Sequence, residues 1–318
     1  MDTNSFPKTL VDAVTYFSDR DVSLEFFKNL RWPHGVTCPI CGCQKVSFLS
    51  TRRIWKCLDC RKQFSAKVGT IFEDSSIDLG KWLITLWILG NSKNGVSSYE
   101  IKRAIGVSQQ TAWYMLHRIR EAMKTGTFEK MKGTVEADET VIGQKSRTMH
   151  ADKRREQRAK GFPKVTVFGL RQRDGDVRTM VVPDTTADTL QSQIVKNVGA
   201  GSTICTDSWK GYNGLSAAYE HGIVDHKKGQ YVSGANGEYS TNGMEGYWNL
   251  LKRGYHGTYV QFSPQHTHRY LAEEDFRYNT RKQTDAERFT LLASQVIGRR
   301  LTYEQLTTNH LQNLVPKQ

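Results

Sequence analysis

The chain has 318 residues and a formal net charge of +13, from 45 lysines and arginines against 32 aspartates and glutamates. That length suits two or three domains of about 100–200 residues each. The longest apolar-rich patch, Trp82 to Leu89, falls far short of the roughly 18 residues a bilayer span needs, which excludes a membrane-spanning protein. Met1 to Phe17 lacks a basic region followed by an apolar core, so secretion is not expected. With 24% charged and 10% aromatic residues the chain can bury cores, which excludes wholesale disorder. The basic excess favours a polyanionic partner, most simply nucleic acid, although charge alone also suits a membrane surface.

Residues 1–31 read as helical, with Leu10, Val14 and Phe17 at helical spacing and Leu24, Phe27 and Leu30 continuing after Asp21. Residues 32–68 hold four of the six cysteines, as Cys38-Pro-Ile-Cys41 and, fifteen residues on, Cys57-Leu-Asp-Cys60. Two such pairs have zinc-ribbon spacing, because each knuckle offers two thiolates and four close a tetrahedron around one Zn²⁺. Two disulfides in a secreted domain are the alternative, and no signal peptide supports them. Cys43 breaks the pair spacing, and Cys205 sits in an apolar run that favours packing. The ribbon's second half is basic: Arg52, Arg53, Lys56, Arg61, Lys62 and Lys67, interleaved with Trp55 and Phe64. Phosphate contact is the favoured reading and an ordinary solvated face the alternative.

Residues 77–125 begin with Leu79 to Leu89, apolar nearly all round and therefore a buried helix. A helix-turn-helix pattern follows. Ser97 or Ser98 caps a helix through Ala104, Gly106 turns, and Ser108 caps a helix to about Met123. Ala112, Met115, Leu116, Ile119 and Met123 form its inward stripe, while Gln109, Gln110, Thr111 and Tyr114 stand where a recognition helix meets base edges.

Residues 133–282 change character. Strands are expected at Thr134 to Ile142, Lys164 to Leu170 and Val177 to Val182, the last two joined at Asp174-Gly175. A helix capped by Thr185 or Thr186 runs to about Val198, with Leu190, Ile194, Val195 and Val198 on one face. A strand from Ser202 ends at Asp207; a helical segment, a strand near Ile223 and a helix from Thr241 to Arg253 follow. That order is the order of an RNase H-like α/β domain with a mixed five-stranded sheet. The segment Gln144 to Lys164, including Arg154 and Arg155, holds eight basic and two acidic residues, a phosphate-seeking loop. Residues 283–318 read as a helical tail.

Three carboxylates carry the chemistry. Asp138 interrupts an apolar strand, where an acid is costly unless it binds something. Asp207 ends the fourth strand, and Glu245 lies on the last helix with Asn242 and Lys252 along the same stripe. In an RNase H-like sheet the first and fourth strands are neighbours, so the acids converge. Converging acids call for Mg²⁺ or Mn²⁺, and two ions about 4 Å apart clamp the attacking and leaving oxygens of a phosphoryl displacement. A Glu245–Lys252 surface pair is the bland alternative.

The block Val135-Glu136-Ala137-Asp138-Glu139-Thr140, the run from Thr206 to Tyr212 and the run from Asn242 to Gly254 resemble the ISXO2-like transposases of the IS1595 group of insertion sequences. Gly257-Thr258-Tyr259, Arg269-Tyr270-Leu271, Phe276-Arg277-Tyr278-Asn279 and the leading ribbon extend the resemblance over roughly residues 20 to 282. It implies a DD(E/N)K transposase: Asp138 and Asp207 as metal ligands, Glu245 or Asn242 at the third position, and Lys252 on the DNA end. Glu245 is the preferred third residue, because a carboxylate neutralises a cation where an amide does not. Ser240 stands where members often carry histidine. The expected activity is binding of terminal inverted repeats in double-stranded DNA, metal-dependent phosphodiester cleavage and strand transfer. The expected state is a homodimer or higher oligomer in the bacterial cytoplasm, at the nucleoid. A DNA-binding regulator with a catalytically dead domain and another RNase H-like nuclease are the alternatives.

Overall fold

The computed structural model describes residues 6–124, 129–143, 150–152, 155, 164–261 and 263–308. Two compact units emerge, one within residues 1–124 and 280–308, the other within 125–279. No helix among the described residues is long and apolar enough to cross a membrane.

The first unit opens with α1 (Leu10–Ser18) and α2 (Arg20–Arg31), each started by a side chain that satisfies orphan amides. Thr9 and Asp12 form a capping box on α1, and Asp19 caps α2. Ala13, Phe17, Ser23 and Phe27 are the buried positions; Leu10 and Val14, expected inward, are 47% and 40% exposed. Strands β1 (Val46–Leu49), β2 (Ile54–Cys57) and β3 (Gln63–Phe64) make an antiparallel ribbon that buries Trp55 and Phe64, with Trp32 and the exposed Phe48 packed against Trp55. Helix α3 (Leu79–Asn91) is buried on nearly every side, as its composition demands. The Ser97–Glu100 capping box starts α4 (Ser98–Ile105), and Gly106 stops it at φ 64°, a conformation that penalises a Cβ. Ser108 then caps α5 (Gln109–Met123), whose five expected inward residues are all buried.

The second unit holds β4 (Thr134–Gly143), β5 (Lys164–Gln172), β6 (Val177–Val182), α6 (Ala187–Asn197), β7 (Thr203–Asp207), β8 (Glu220–Val224), α7 (Asn242–Gly254) and α8 (Thr267–Asn279). The five-stranded sheet runs β6-β5-β4-β7-β8, antiparallel across β6, β5 and β4 and parallel across β4, β7 and β8. Val135, Ala137, Phe168, Leu170 and Ile204 pack with Leu190 and Ile194 of α6 on one face. Ile142, Val165 and Val167 pack with Met244, Tyr247, Trp248 and Leu251 of α7 on the other. Val195, expected inward on α6, is 51% exposed. Between β7 and β8 the expected helical segment is only two 3₁₀ turns, Lys210–Tyr212 and Leu215–Ala217, broken by Gly214 at φ 96°.

Residues beyond Asn279 return to the first unit. There α9 (Asp285–Gln295) sets Phe289 against Phe17, Phe26 and Trp87, and the short α10 (Tyr303–Thr307) ends the described chain. Leu301 accepts from the Tyr114 hydroxyl and from Arg118 Nε, both at 3.1 Å.

Candidate active site and metal centre

The four paired cysteines come together at the ribbon tip. Their Sγ atoms lie within 4.8 Å of one another, with Cys38–Cys60 at 3.8 Å and Cys41–Cys57 at 3.6 Å. A tetrahedron with Zn–S bonds of about 2.3 Å has edges of about 3.8 Å, so the thiols are spaced for one Zn²⁺; a disulfide's roughly 2.05 Å is excluded. Cys43 stands aside, its sulfur accepting from the Lys45 amide at 3.1 Å. Cys205 is wholly buried in β7.

The basic residues of the ribbon have different fates. Arg52, Arg61 and Lys62 are exposed, with Arg52 reaching Gln63 at 3.0 Å. Arg53 makes a two-pronged ion pair with Asp21 at 2.6 and 3.1 Å, Lys56 is half-buried, and Lys67 donates to the Ile77 carbonyl at 3.1 Å. On α5, Gln110 is exposed, Gln109 donates to Ser98 at 2.9 Å and Thr111 joins the Ser108 cap. Tyr114 turns to Leu301 instead of outward. Arg155 is exposed, and Arg154 lies outside the described residues.

Strand alternation places Glu136, Asp138 and Ile142 toward α7 while Val135, Ala137 and Glu139 face α6. The parallel register pairs Val135 with Ile204 and Glu136 with Cys205, so the same offset carries Asp138 to the level of Asp207. Asp138 accepts from Trp248 Nε1 and from the Glu139 amide, both at 2.9 Å. Burial pushes its carboxyl up to about 6, and the charges of Asp207 and Glu245 push the same way. Asp207 accepts from the Trp209 amide at 2.9 Å. On α7, Asn242 and Lys252 are exposed and Glu245 is half-buried, its Oε1 3.2 Å from His226 Nε2. Among the described residues only the four cysteines place three or more such ligand atoms within 4.8 Å, so the carboxylates stand further apart than the thiols.

Three neighbours escaped the sequence reading. Glu139 accepts from the Tyr212 hydroxyl, and burial, with Asp138 and Asp207 adding, holds its carboxyl near 7. His226 follows β8, whose last residue Val224 pairs with Asp207; a histidine at that strand end was the available signal. Glu136, two residues before Asp138, is 3% exposed and bonds the backbone of α7. The cluster offers oxygen donors, a set suited to hard divalent cations.

Comparison with known proteins agrees with this architecture. Residues 130–279 match the ISXO2-like transposase domain, and residues 19–63 the transposase zinc-ribbon domain. A relative in Halobacterium salinarum, described as an uncharacterized protein in transposable element ISH50, is 26% identical over 255 residues, 75% of this chain and 84% of the relative. The chain therefore carries, in this order, a transposase zinc ribbon and an ISXO2-like transposase domain, both of the IS1595 type.

Proposed function

We propose that the protein cuts and rejoins DNA at the ends of its own insertion sequence, with the second unit acting as an RNase H-like catalytic domain. The observation that carries this reading is the meeting of Asp138, Asp207 and Glu245 at one sheet end, from a central strand, its parallel neighbour and the helix packed across them. Divalent ions bound there would neutralise the carboxylates and supply Lewis acidity for phosphodiester cleavage and strand transfer. Asp138, Asp207 and Glu245 would hold them. Glu245 is favoured over Asn242, because a carboxylate neutralises a divalent cation where an amide does not. Lys252, exposed two turns along the same helix, is free to meet the phosphate of the DNA end.

Trp248 and the Glu139 amide fix the Asp138 carboxylate, the Trp209 amide fixes Asp207, and His226 holds Glu245. The ribbon, with exposed Arg52, Arg61 and Lys62, and α4–α5, read as a helix-turn-helix presenting Gln110, would recognise the terminal repeats. Holding two ends at once calls for a dimer or larger assembly.

An excision assay tests the reading. A marker flanked by the DNA on either side of the gene is scored with wild-type protein, Asp138→Ala and Asp207→Ala. Excision by wild type alone supports it; equal excision by either variant ends it. Specific binding to those flanks without cutting by any of the three would favour a regulator.

A further inference from the structure

We infer that Glu136 is a positioning residue for the acid cluster: its carboxylate caps helix α7 and so fixes where Glu245 stands relative to Asp138. The inference rests on the transposase reading for its activity readout alone.

A helix exposes orphan amides in its first turn, and a side-chain oxygen at the N-cap ordinarily takes them. Thr241, the N-cap of α7, makes no such bond; its hydroxyl is engaged with His226 Nε2 at 3.0 Å. Glu136, 108 residues away in sequence, takes over, accepting from the Met244 amide at 2.7 Å. Negative charge at this end also complements the helix dipole. Arg171, paired with Glu136 across β4 and β5, holds the other carboxylate oxygen at 3.1 Å and donates from Nε to the Tyr278 hydroxyl at 2.9 Å. Gly243 leaves room for this pair: a Cβ there would come within 2.1 Å of the Arg171 guanidinium and 2.7 Å of the Glu136 carboxylate, so one of the two side chains would have to move.

The arrangement sets a register as well as a cap. Glu136 and Asp138 are two residues apart on one strand face, about 6.6 Å at a strand's rise. Their partners on α7, the Met244 amide and the Trp248 indole, are four residues apart, about 6 Å at a helix's rise. The strand therefore grips the helix at two matched points, and Glu245 lies between them.

The test uses full-length Glu136→Gln and Gly243→Ala, which disturb the same contact from opposite sides. Hydrogen exchange across residues 242–249, Mn²⁺ binding by calorimetry, the Mn²⁺ requirement for cleavage and binding to element ends are compared with wild type. Both variants are expected to bind ends normally, to exchange first-turn amides about ten-fold faster, and to need about 10–100-fold more Mn²⁺. Faster exchange with an unchanged Mn²⁺ requirement would reduce Glu136 to a structural cap, and no change in either would remove the role altogether. Should Glu136→Gln not fold, Gly243→Ala and Glu136→Asp carry the same readouts. Were wild type to cut no DNA, the transposase reading would fall, while exchange and calorimetry would still decide the positioning role.

Discussion

Trp248 and Gly169 fit one another: the indole lies where a Cβ on Gly169 would come within 2.7 Å of it. Gly169 is the cross-strand partner of Asp138, so the missing side chain admits the ring whose Nε1 donates to the Asp138 carboxylate. That bond lowers the pKa that burial raises. Trp248→Phe keeps most of the apolar body and removes the donor, so Asp138 should titrate higher. The acid limb of the cleavage-rate profile is expected to move toward alkaline pH by about one unit, the equivalent of about 1.4 kcal/mol. Gly169→Ala forces the ring aside and should cost about 1–3 kcal/mol in urea unfolding. An unmoved profile in Trp248→Phe would separate the indole from Asp138 chemistry.

Protons and cations should compete for the same carboxylates. Asp138 is held near 6, principally by burial. A protonated carboxyl is a poor ligand, so Mn²⁺ affinity is expected to fall as pH drops from about 7 to 5, steepening to about ten-fold per unit below about pH 6 as metal must displace the protons. Calorimetry at several pH values in buffers of different ionisation enthalpy counts those protons. Affinity independent of pH over this window would remove Asp138 from the donor set.

The strands and helix that carry the candidate site were legible in the sequence, and the contacts that were not have a common cause. Alternation along β4 and the acid at the end of β7 need only local periodicity; that the two strands are neighbours is what an RNase H-like order implies, and their parallel pairing came from the structure. Leu10 and Val14 look inward by spacing, yet spacing does not say what covers a face, and both stand in solvent. Glu139 points to the opposite side from Asp138 and so reads as an ordinary strand residue until Tyr212 meets it. The pairings of His226 with Glu245 and of Glu136 with Arg171 depend on loop path and strand register, which composition does not encode.

Zinc removal should act on the ribbon alone. Structural Zn²⁺ contributes on the order of 10 kcal/mol to folding of such modules. The ribbon's other support is the small aromatic group around Trp55, with Trp32 edge-on at 5.4 Å. Chelation is therefore expected to abolish the near-ultraviolet signal of Trp32 and Trp55 and to expose residues 38–60 to protease. The sheet of the second unit should keep its exchange protection. Cys57→Ser is expected to reproduce the effect without chelator, and a ribbon that survives both treatments intact would refute a folding role for the ion.

Asp275 should make the second unit less stable as pH rises. Its carboxylate is 4% exposed and accepts from the Thr179 amide at 2.9 Å, the Thr179 hydroxyl at 3.0 Å and the Tyr247 hydroxyl at 2.5 Å, tying α8 to β6 and α7. Burial outweighs these bonds and lifts it to about 7, whereas an unfolded chain titrates it near 3.9. Below about pH 4 both states hold the proton, and this contribution is fully present. From there to about pH 7 only the folded state keeps the proton, so stability falls by up to about 1.4 kcal/mol per unit before levelling. Asp275→Asn has the same shape and no proton to lose, so its unfolding free energy should lack this slope and gain on wild type from pH 5 to pH 8. Urea unfolding followed at Trp248 measures the difference. A wild-type-minus-variant gap that stays constant across that range would mean that the carboxyl ionises in place, solvated more fully than its burial among Thr179 and Tyr247 allows.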